Sequence, residues 1–529
     1  MKVLFVNPHK DSFGFKPIGI SLLSSIARNV EWDTALFDTT EIDLNYDNAF
    51  IKYQEARTLK PVNYKKYNLI KKKIDLGEKT KEIIKKHNPD LLAFSVLTDE
   101  YKVAKTISKV AKSYRKDIPI LWGGIHATSN PETVLQNDFV DYICIGEGIE
   151  AFKEFLETYH SNGDLLKIKN IWGKNSGEII KNDLRPLKNN LNDLPYLDWT
   201  IFDKRQFCKP FHGKIYVGGE HMTNWGCPNK CTYCINHYLH DLYKNAGGYK
   251  IRRYSNRRII DELKWLVDKW GIEFIKFFDE DFLIRPFNNL EELSTMYRDE
   301  VNVPFWIETN SLVVTEEKVK LLKNMNCAGA SLGVETGFPA RKELLHRKDT
   351  EEDIRRAFSL FKKYDMKTTA FNMLGLPFET RETYMRRINL NLIADAQTPT
   401  IGFFYPFSNT KLREIAIENG FFDPNDEEEH PWNPGHPNLH FPYLSDEELI
   451  QMKLVFTLYV KLPKIYWKYI ERSEKYDEFG KNLRTTLLKI FDNTVWKNDG
   501  WYKDDGNQEK YLSELNKIIK FEEEKSIMA

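Results

Sequence analysis

The sequence predicts an α/β protein in three parts: a doubly wound parallel sheet, an incomplete (β/α)6 barrel and a helical cap. Three patterns predict it. Short apolar runs alternate with amphipathic helical stretches through residues 1–150, as expected of strands covered by helices on both faces. Six more strand-then-helix units follow within residues 213–422. Six units cannot close as tightly as eight, so a partial, TIM-type barrel is expected. From residue 423 the strand pattern stops and helical spacing continues to the end. At about 150 residues per domain, 529 residues allow two to four domains. The boundaries expected are 1–150, a connector over 151–212, the barrel over 213–422 and the cap over 423–529.

In the first part, Lys2–Asn7 (KVLFVN) is a continuous apolar strand, too short to be the core of a signal peptide. Pro17–Asn29 sets Ile18, Leu22, Leu23 and Ile26 at helical spacing. Thr34–Phe37 is the second strand. Residues 41–88 are polar and mainly helical, an insertion plus a helix. Leu91–Val96, Ile118–Trp122 and Tyr142–Ile145 are further strands, and Asp99–Tyr114 is a helix. This Rossmann-like order binds ligands at the carboxyl ends of its strands. Those ends carry Ser95-Val96-Leu97, then Gly123-Gly124 with His126 just beyond, then Gly146-Glu147-Gly148. Glycine there lets a ligand approach the backbone.

The connector holds a helix over Glu150–His160, a hairpin pattern over 161–183 and a Pro- and Asn-containing linker over Leu184–Phe207. Cys208, close behind it, is expected to be structural. The barrel strands expected are Ile215–Asn224, Phe274–Phe278, Pro304–Ile307, Ala328–Val334, Lys367–Met373 and Thr400–Tyr405. Helices are expected over Arg257–Trp270, Glu316–Asn324, Asp353–Tyr364 and Glu379–Ala396. Polar residues at the carboxyl ends of such strands build active sites. Here they are Asp279-Glu280-Asp281, Glu308-Thr309-Asn310, Glu335-Thr336-Gly337 and Gly375-Leu376-Pro377. Acidic residues in these places also serve as helix caps. In the last part, Ser445–Glu448 reads as a capping box opening an amphipathic helix. His430, Trp432, His436 and His440 lie in the preceding loop, bordering the expected site, at spacings that fit no metal template.

Composition limits the function. Lys+Arg and Asp+Glu both number 77, and this zero net charge argues against a nucleic-acid or membrane-surface partner. No apolar run approaches 18 residues, so no membrane span is expected. The six cysteines are clustered rather than paired, which fits a reducing cytoplasm and a metal site rather than disulfides.

Half of those cysteines fall in one stretch, Met-Thr-Asn-Trp-Gly-Cys-Pro-Asn-Lys-Cys-Thr-Tyr-Cys from Met222 to Cys234. Cys227, Cys231 and Cys234 stand at Cys-x3-Cys-x2-Cys spacing among turn residues, so one short loop can turn three thiolates toward one point. Thiolates select zinc, copper(I) or iron–sulfur clusters. Zinc takes four protein ligands, or three and a water. A [4Fe–4S] cluster with three protein ligands leaves one iron open.

The spacing and its surroundings resemble the radical S-adenosylmethionine (SAM) superfamily. Asp279–Asp281, Gly333-Val334-Glu335-Thr336-Gly337, Asn372–Pro377 and Pro406–Thr410 resemble its strand-end motifs, with Ser408 and Asn409 departing from the last. Ser95-x-Leu97, with Gly123-Gly124 about 26 residues later, resembles the cobalamin-binding domain found in front of such barrels. That family's Asp-x-His-x-x-Gly is absent here, where the loop reads Asn7–Gly14, and only His9 and His126 stand nearby. The resemblance implies a [4Fe–4S] cluster on the three cysteines, with SAM on the open iron and cobalamin bound without its lower histidine. It implies SAM-side residues Tyr233, Asp279, Asp281, Glu308, Asn310, Glu335 and Gly375. On the cobalamin side it implies Ser95, Leu97, Gly123, Gly124, His126, Gly146 and Glu147. It also implies a small-molecule substrate, an external flavodoxin- or ferredoxin-type electron donor, and radical-driven methylation of an unactivated carbon. The alternatives are a cyclase or rearrangement enzyme without methyl transfer, and a non-catalytic cobalamin or iron–sulfur sensor.

Overall fold

The computed structural model describes the chain except residues 12, 45–48, 427–434 and 529. His430 and Trp432 therefore lie outside the described residues. The first sheet contains β1 (Lys2–Asn7), β2 (Asp33–Asp38), β3 (Leu91–Ser95), β4 (Ile120–Gly123), β5 (Tyr142–Cys144), β6 (Ile171–Asn175) and β7 (Glu178–Ile180). Its order is β2-β1-β3-β4-β5-β6-β7. The first five strands pair in parallel, and the β6–β7 hairpin extends the sheet antiparallel. Alternate residues explain the continuous apolar runs. Val3, Phe5, Leu91, Ala93 and Leu121 enter a core shared with the helices Ile18–Asn29 and Ile149–His160. Leu4, Val6, Leu92, Phe94 and Trp122 enter a second core, with helices Leu76–His87 and Tyr101–Tyr114. β4 starts at Ile120, after Pro119, which has no amide to donate. The order reverses between β1 and β3, which opens a crevice at the carboxyl ends there.

The linker after β7 is part of the core. Leu191, Leu194, Leu197, Trp199, Phe202 and Phe207 join the sheet's first core to that of the barrel helices. The second sheet contains β8 (Cys208–Phe211), β9 (Lys214–His221), β12 (Phe274–Phe277), β13 (Phe305–Thr309), β14 (Cys327–Glu335), β15 (Lys367–Leu374), β16 (Thr398–Pro399) and β17 (Gly402–Phe403). Between β9 and β12, β10 (Asn224–Trp225) and β11 (Arg252–Arg253) form a small antiparallel ribbon. From β9 to β16 the sheet is parallel and in chain order, and it curls without closing; β17 also pairs with β15.

Four details depart from expectation. The sixth strand is split into β16 and β17 at residues 400–401, where the Thr400 carbonyl accepts from the Asn372 side-chain amide. β13 and β14 run far enough to include Glu308 and Glu335 themselves. Cys208 opens an antiparallel edge strand. Helices Ile235–Leu242 and Phe287–Glu300 complete the barrel units. The cap consists of helices Asp446–Lys461, Trp467–Ser473, Glu478–Thr494 and Gln508–Met528. Leu449, Phe456 and Leu487 of the cap share one core with Leu374, Leu376 and Tyr384 of the barrel. Among the described residues no helix is long and apolar enough to cross a membrane.

Candidate functional site

The loop after β9 is held from three sides. Asp279 is fully buried and accepts from Thr223 N, Thr223 Oγ1 at 2.5 Å and Asn224 N at 2.7 Å. The buried Arg285 guanidinium reaches the same Thr223 hydroxyl. Thr232, inside the cysteine motif, donates to Leu344 O at 2.7 Å and accepts from Leu412 N at 2.9 Å. Gly226 takes φ +98° and donates to Glu280 at 3.3 Å. Between these pins sit Cys227, Cys231 and Cys234.

Their thiols lie in one electrostatic neighbourhood. Burial raises all three pKa values, that of Cys227 to about 11, and Asp281 and Cys234 press on Cys227 while Arg347 and Glu335 act on Cys231. Metal charge must therefore supply the ionisation. The side-chain amides of Asn229 and Asn236 lie 3.6 Å from the Cys227 and Cys234 sulfurs. Among the described residues no group of three or more His, Cys, Asp or Glu side chains is arranged to hold a single metal ion. One tetrahedral zinc at about 2.3 Å from each sulfur needs sulfurs within roughly 4 Å of each other. A cubane binds each ligand at a different iron corner and fits a wider triangle, so the donor set suits the cluster.

Beside the loop, Glu335 turns back at φ +63°. Gly333 makes room for this, since a Cβ there would stand 2.2 Å from Glu335 Oε1. Tyr233 donates to Glu335 at 3.2 Å, and Arg347 donates to the Tyr233 oxygen at 3.1 Å. Arg347 and the buried Arg341 both bind Asp349. Burial raises the Glu335 pKa against the pull of Arg347 and Arg341. Gly375 N donates to Glu379, which also holds the buried Arg387. Asp281 accepts from Thr309 at 2.6 Å and from the Asn310 amide, and burial raises its pKa to about 6. Glu308 faces the barrel interior and pairs with Lys276 at 2.7 Å. The structure thus places Tyr233, Asp281 and Glu335 around the thiols. It puts Asp279 beneath the loop as a support, and Glu308 in the lumen.

At the crevice of the first sheet lies a cavity of about 230 Å³. Ser95, Gly123, Gly124, Gly146 and Glu147 line it, joined by Gly19 and Trp225. It is a cradle that side chains would fill: a Cβ on Gly19 meets nothing within 4 Å. An apolar cavity of about 150 Å³ holds benzene, so this one has room for the planar base of a cobalamin tail. Leu97 and His126 do not line it. Leu97 is exposed, and His126 packs at a tilt against Tyr101 with centroids 4.6 Å apart, where burial lowers its pKa to about 4. His9 is bound to Glu100 at 3.1 Å.

Sequence reasoning missed Trp225, Arg252, Arg285, Arg341 and Arg347. Arg252 pairs with Glu147 at 2.7 Å and stands opposite Trp225 in the β10–β11 ribbon. Glu147 N also donates to Tyr243 at 2.6 Å. The only local signal was the run of charges after Gly337, from Arg341 to Asp349.

Residues 225–390 match the Radical SAM superfamily, and residues 64–156 match the B12 binding domain. An uncharacterised methyltransferase of Pyrococcus horikoshii is 24% identical over 430 residues, covering 79% of this chain and 84% of its own length. The anaerobic magnesium-protoporphyrin IX monomethyl ester cyclase of Cereibacter sphaeroides is 26% identical over 355 residues. That match covers 65% of this chain and only 56% of the cyclase. The radical SAM methyltransferase TsrM from Kitasatospora setae, solved with tryptophan and a SAM analogue, shares the fold at TM-score 0.59 and 17% identity, over 80% of this chain and 77% of TsrM. The cobalamin-dependent SAM radical enzyme OxsB shares it at TM-score 0.63 and 14% identity, over 100% of this chain and 80% of OxsB. A radical SAM domain implies a [4Fe–4S] cluster and SAM, and a B12-binding domain implies cobalamin.

Proposed function

We propose that this chain is a radical SAM enzyme carrying a B12-binding domain, and a methyltransferase acting on an unactivated carbon of a small molecule. One observation carries the reading. Trp225 lines the glycine cavity and Cys227 follows two residues later, so a single loop serves both cofactor sites. When bound, SAM on the cluster supplies the hydrogen-abstracting radical, and cobalamin supplies the methyl group.

The chain's own residues bind and orient. Cys227, Cys231 and Cys234 hold the cluster. Tyr233, Glu335 and Arg347 form a rigid hydrogen-bonded face on the SAM side. Glu147 and Arg252 hold the Trp225 loop against the first sheet. Hydrogen abstraction needs no general base, and none is assigned. Electrons enter from an external flavodoxin- or ferredoxin-type protein in the cytoplasm.

A second reading is favoured by the cyclase relatives, whose identity to this chain matches that of the methyltransferase. Anaerobic reconstitution with iron, sulfide, cobalamin and SAM separates the two. Methyl transfer would consume SAM as the methyl source and release S-adenosylhomocysteine. If 5′-deoxyadenosine forms and S-adenosylhomocysteine does not, the cyclase reading replaces ours.

A further inference from the structure

The barrel lumen holds a cavity of about 340 Å³. Inward-facing alternate residues of the strands form its wall, among them Phe274, Lys276, Trp306 and Glu308. Glu308 lies on β13 two residues before Asn310, which directly follows the strand, so the upper end of the chamber is about 7 Å below the Asn310–Asp281 hydrogen bond. The lower end is lined by Gln397 and Gly500, at the amino ends of β15 and β16.

Lys461 of the cap also lines this chamber. It is buried, and its ammonium donates to the Ala396 carbonyl and lies 4.4 Å from the centroid of the Trp501 ring. Asp395, the carboxylate that draws on it, is already paired with Lys362 at 2.6 Å, and Lys362 opposes the Lys461 charge. Burial lowers the Lys461 pKa to about 8. Among the described residues this ammonium has no carboxylate of its own, and a desolvated charge so placed is held at a cost that an anionic ligand removes.

The wall beside it is aromatic. The Phe211 ring lies 4.4 Å from Phe274 and 4.9 Å from Trp306, centroid to centroid. The volume is about twice the roughly 150 Å³ that holds benzene. It admits one or two rings and excludes a four-pyrrole macrocycle.

We infer that the chamber binds the substrate as a compact one- or two-ring anion, its carboxylate or phosphate on Lys461 and its reacting carbon toward Glu308. The inference rests on the methyltransferase reading above. Titration calorimetry of the reconstituted protein with 2-naphthoate, 2-naphthyl phosphate and 2-naphthamide tests it. At least one anion should bind tenfold or more tightly than the amide, and which one does so identifies the acid group. Lys461→Met should reduce that preference below twofold and leave amide binding unchanged, which also reports an intact fold. Lys461→Arg should restore the preference. Equal binding of acids and amide, a preference that survives Lys461→Met, or no binding by any probe would overturn the inference. Normal S-adenosylhomocysteine release without anion preference removes this inference alone. Anion preference without that release removes the methyltransferase reading and leaves the anion site.

Discussion

Replacing Asp279 with asparagine asks how firmly the cysteine loop is held. The carboxylate serves three donors, Thr223 N, Thr223 Oγ1 and Asn224 N, in a site sealed from water. Asparagine keeps one acceptor oxygen and loses the charge. A hydrogen bond to a charged acceptor contributes roughly 1.5–3 kcal/mol and a neutral one about 1. Three such changes sum to about 3 kcal/mol of lost support for the turn. Every 1.4 kcal/mol is tenfold in an equilibrium, so local opening should be on the order of a hundredfold more frequent. The Asn224 amide reports it directly, and its hydrogen exchange should quicken by about that factor in Asp279→Asn. Iron bound per chain after anaerobic reconstitution should fall with it. Exchange at Asn224 within threefold of wild type would refute the argument and leave Arg285 or the Thr232 pins as the true support.

The other predictions address the cofactors and one titration. Cys227→Ala, Cys231→Ala and Cys234→Ala should each abolish reductive SAM cleavage, and a wild-type rate in any of them would remove that residue from the ligand set. Gly19→Leu fills the glycine cavity from a helix that tolerates leucine. Cobalamin affinity should drop more than tenfold while 5′-deoxyadenosine formation persists, and undiminished cobalamin binding would place the tail elsewhere. Burial raises the Asp281 pKa from 3.8 to about 6. The folded state therefore binds more protons than the unfolded one between these values, and stability falls as pH rises through them. At 1.36 kcal/mol per pKa unit this amounts to about 3 kcal/mol. The thermal midpoint of the apo-protein should lose this slope in Asp281→Asn, and an unchanged slope would assign it to another group.

The parallel strands of the first sheet were legible because its inner strands are buried on both faces and so read as unbroken apolar runs. Ser95, Gly123, Gly124, Gly146 and Glu147 meet in one cavity because β3, β4 and β5 pair in parallel with their ends level. Leu97 and His126 fall outside it because the chain turns at once after each strand. Leu97 N binds Glu100 at 3.1 Å, and His126 enters a short helix facing Tyr101. What local pattern could not supply was the long-range polar lattice. Arg347 meets Tyr233 across 114 positions, and Arg252 meets Glu147 across 105. A buried arginine looks in sequence like any solvated one until its partner is placed. The helix Phe287–Glu300 escaped because Asn288, Asn289, Glu291 and Glu292 hide the narrow stripe of Leu290, Leu293 and Tyr297.

The open flank of the curled sheet is bordered by residues from both ends of the chain. Residues 57–60 line the lumen together with Val495, Trp496, Asp499 and Gly500, and Arg57 binds Asp492 through two hydrogen bonds, 435 positions apart. At 5–20 residues per second of synthesis, that gap takes roughly 20–90 s to translate. During that time every barrel strand has emerged while the chamber still lacks a wall. The last helices to leave the ribosome thus shut the compartment, and until then its interior is open to whatever must enter.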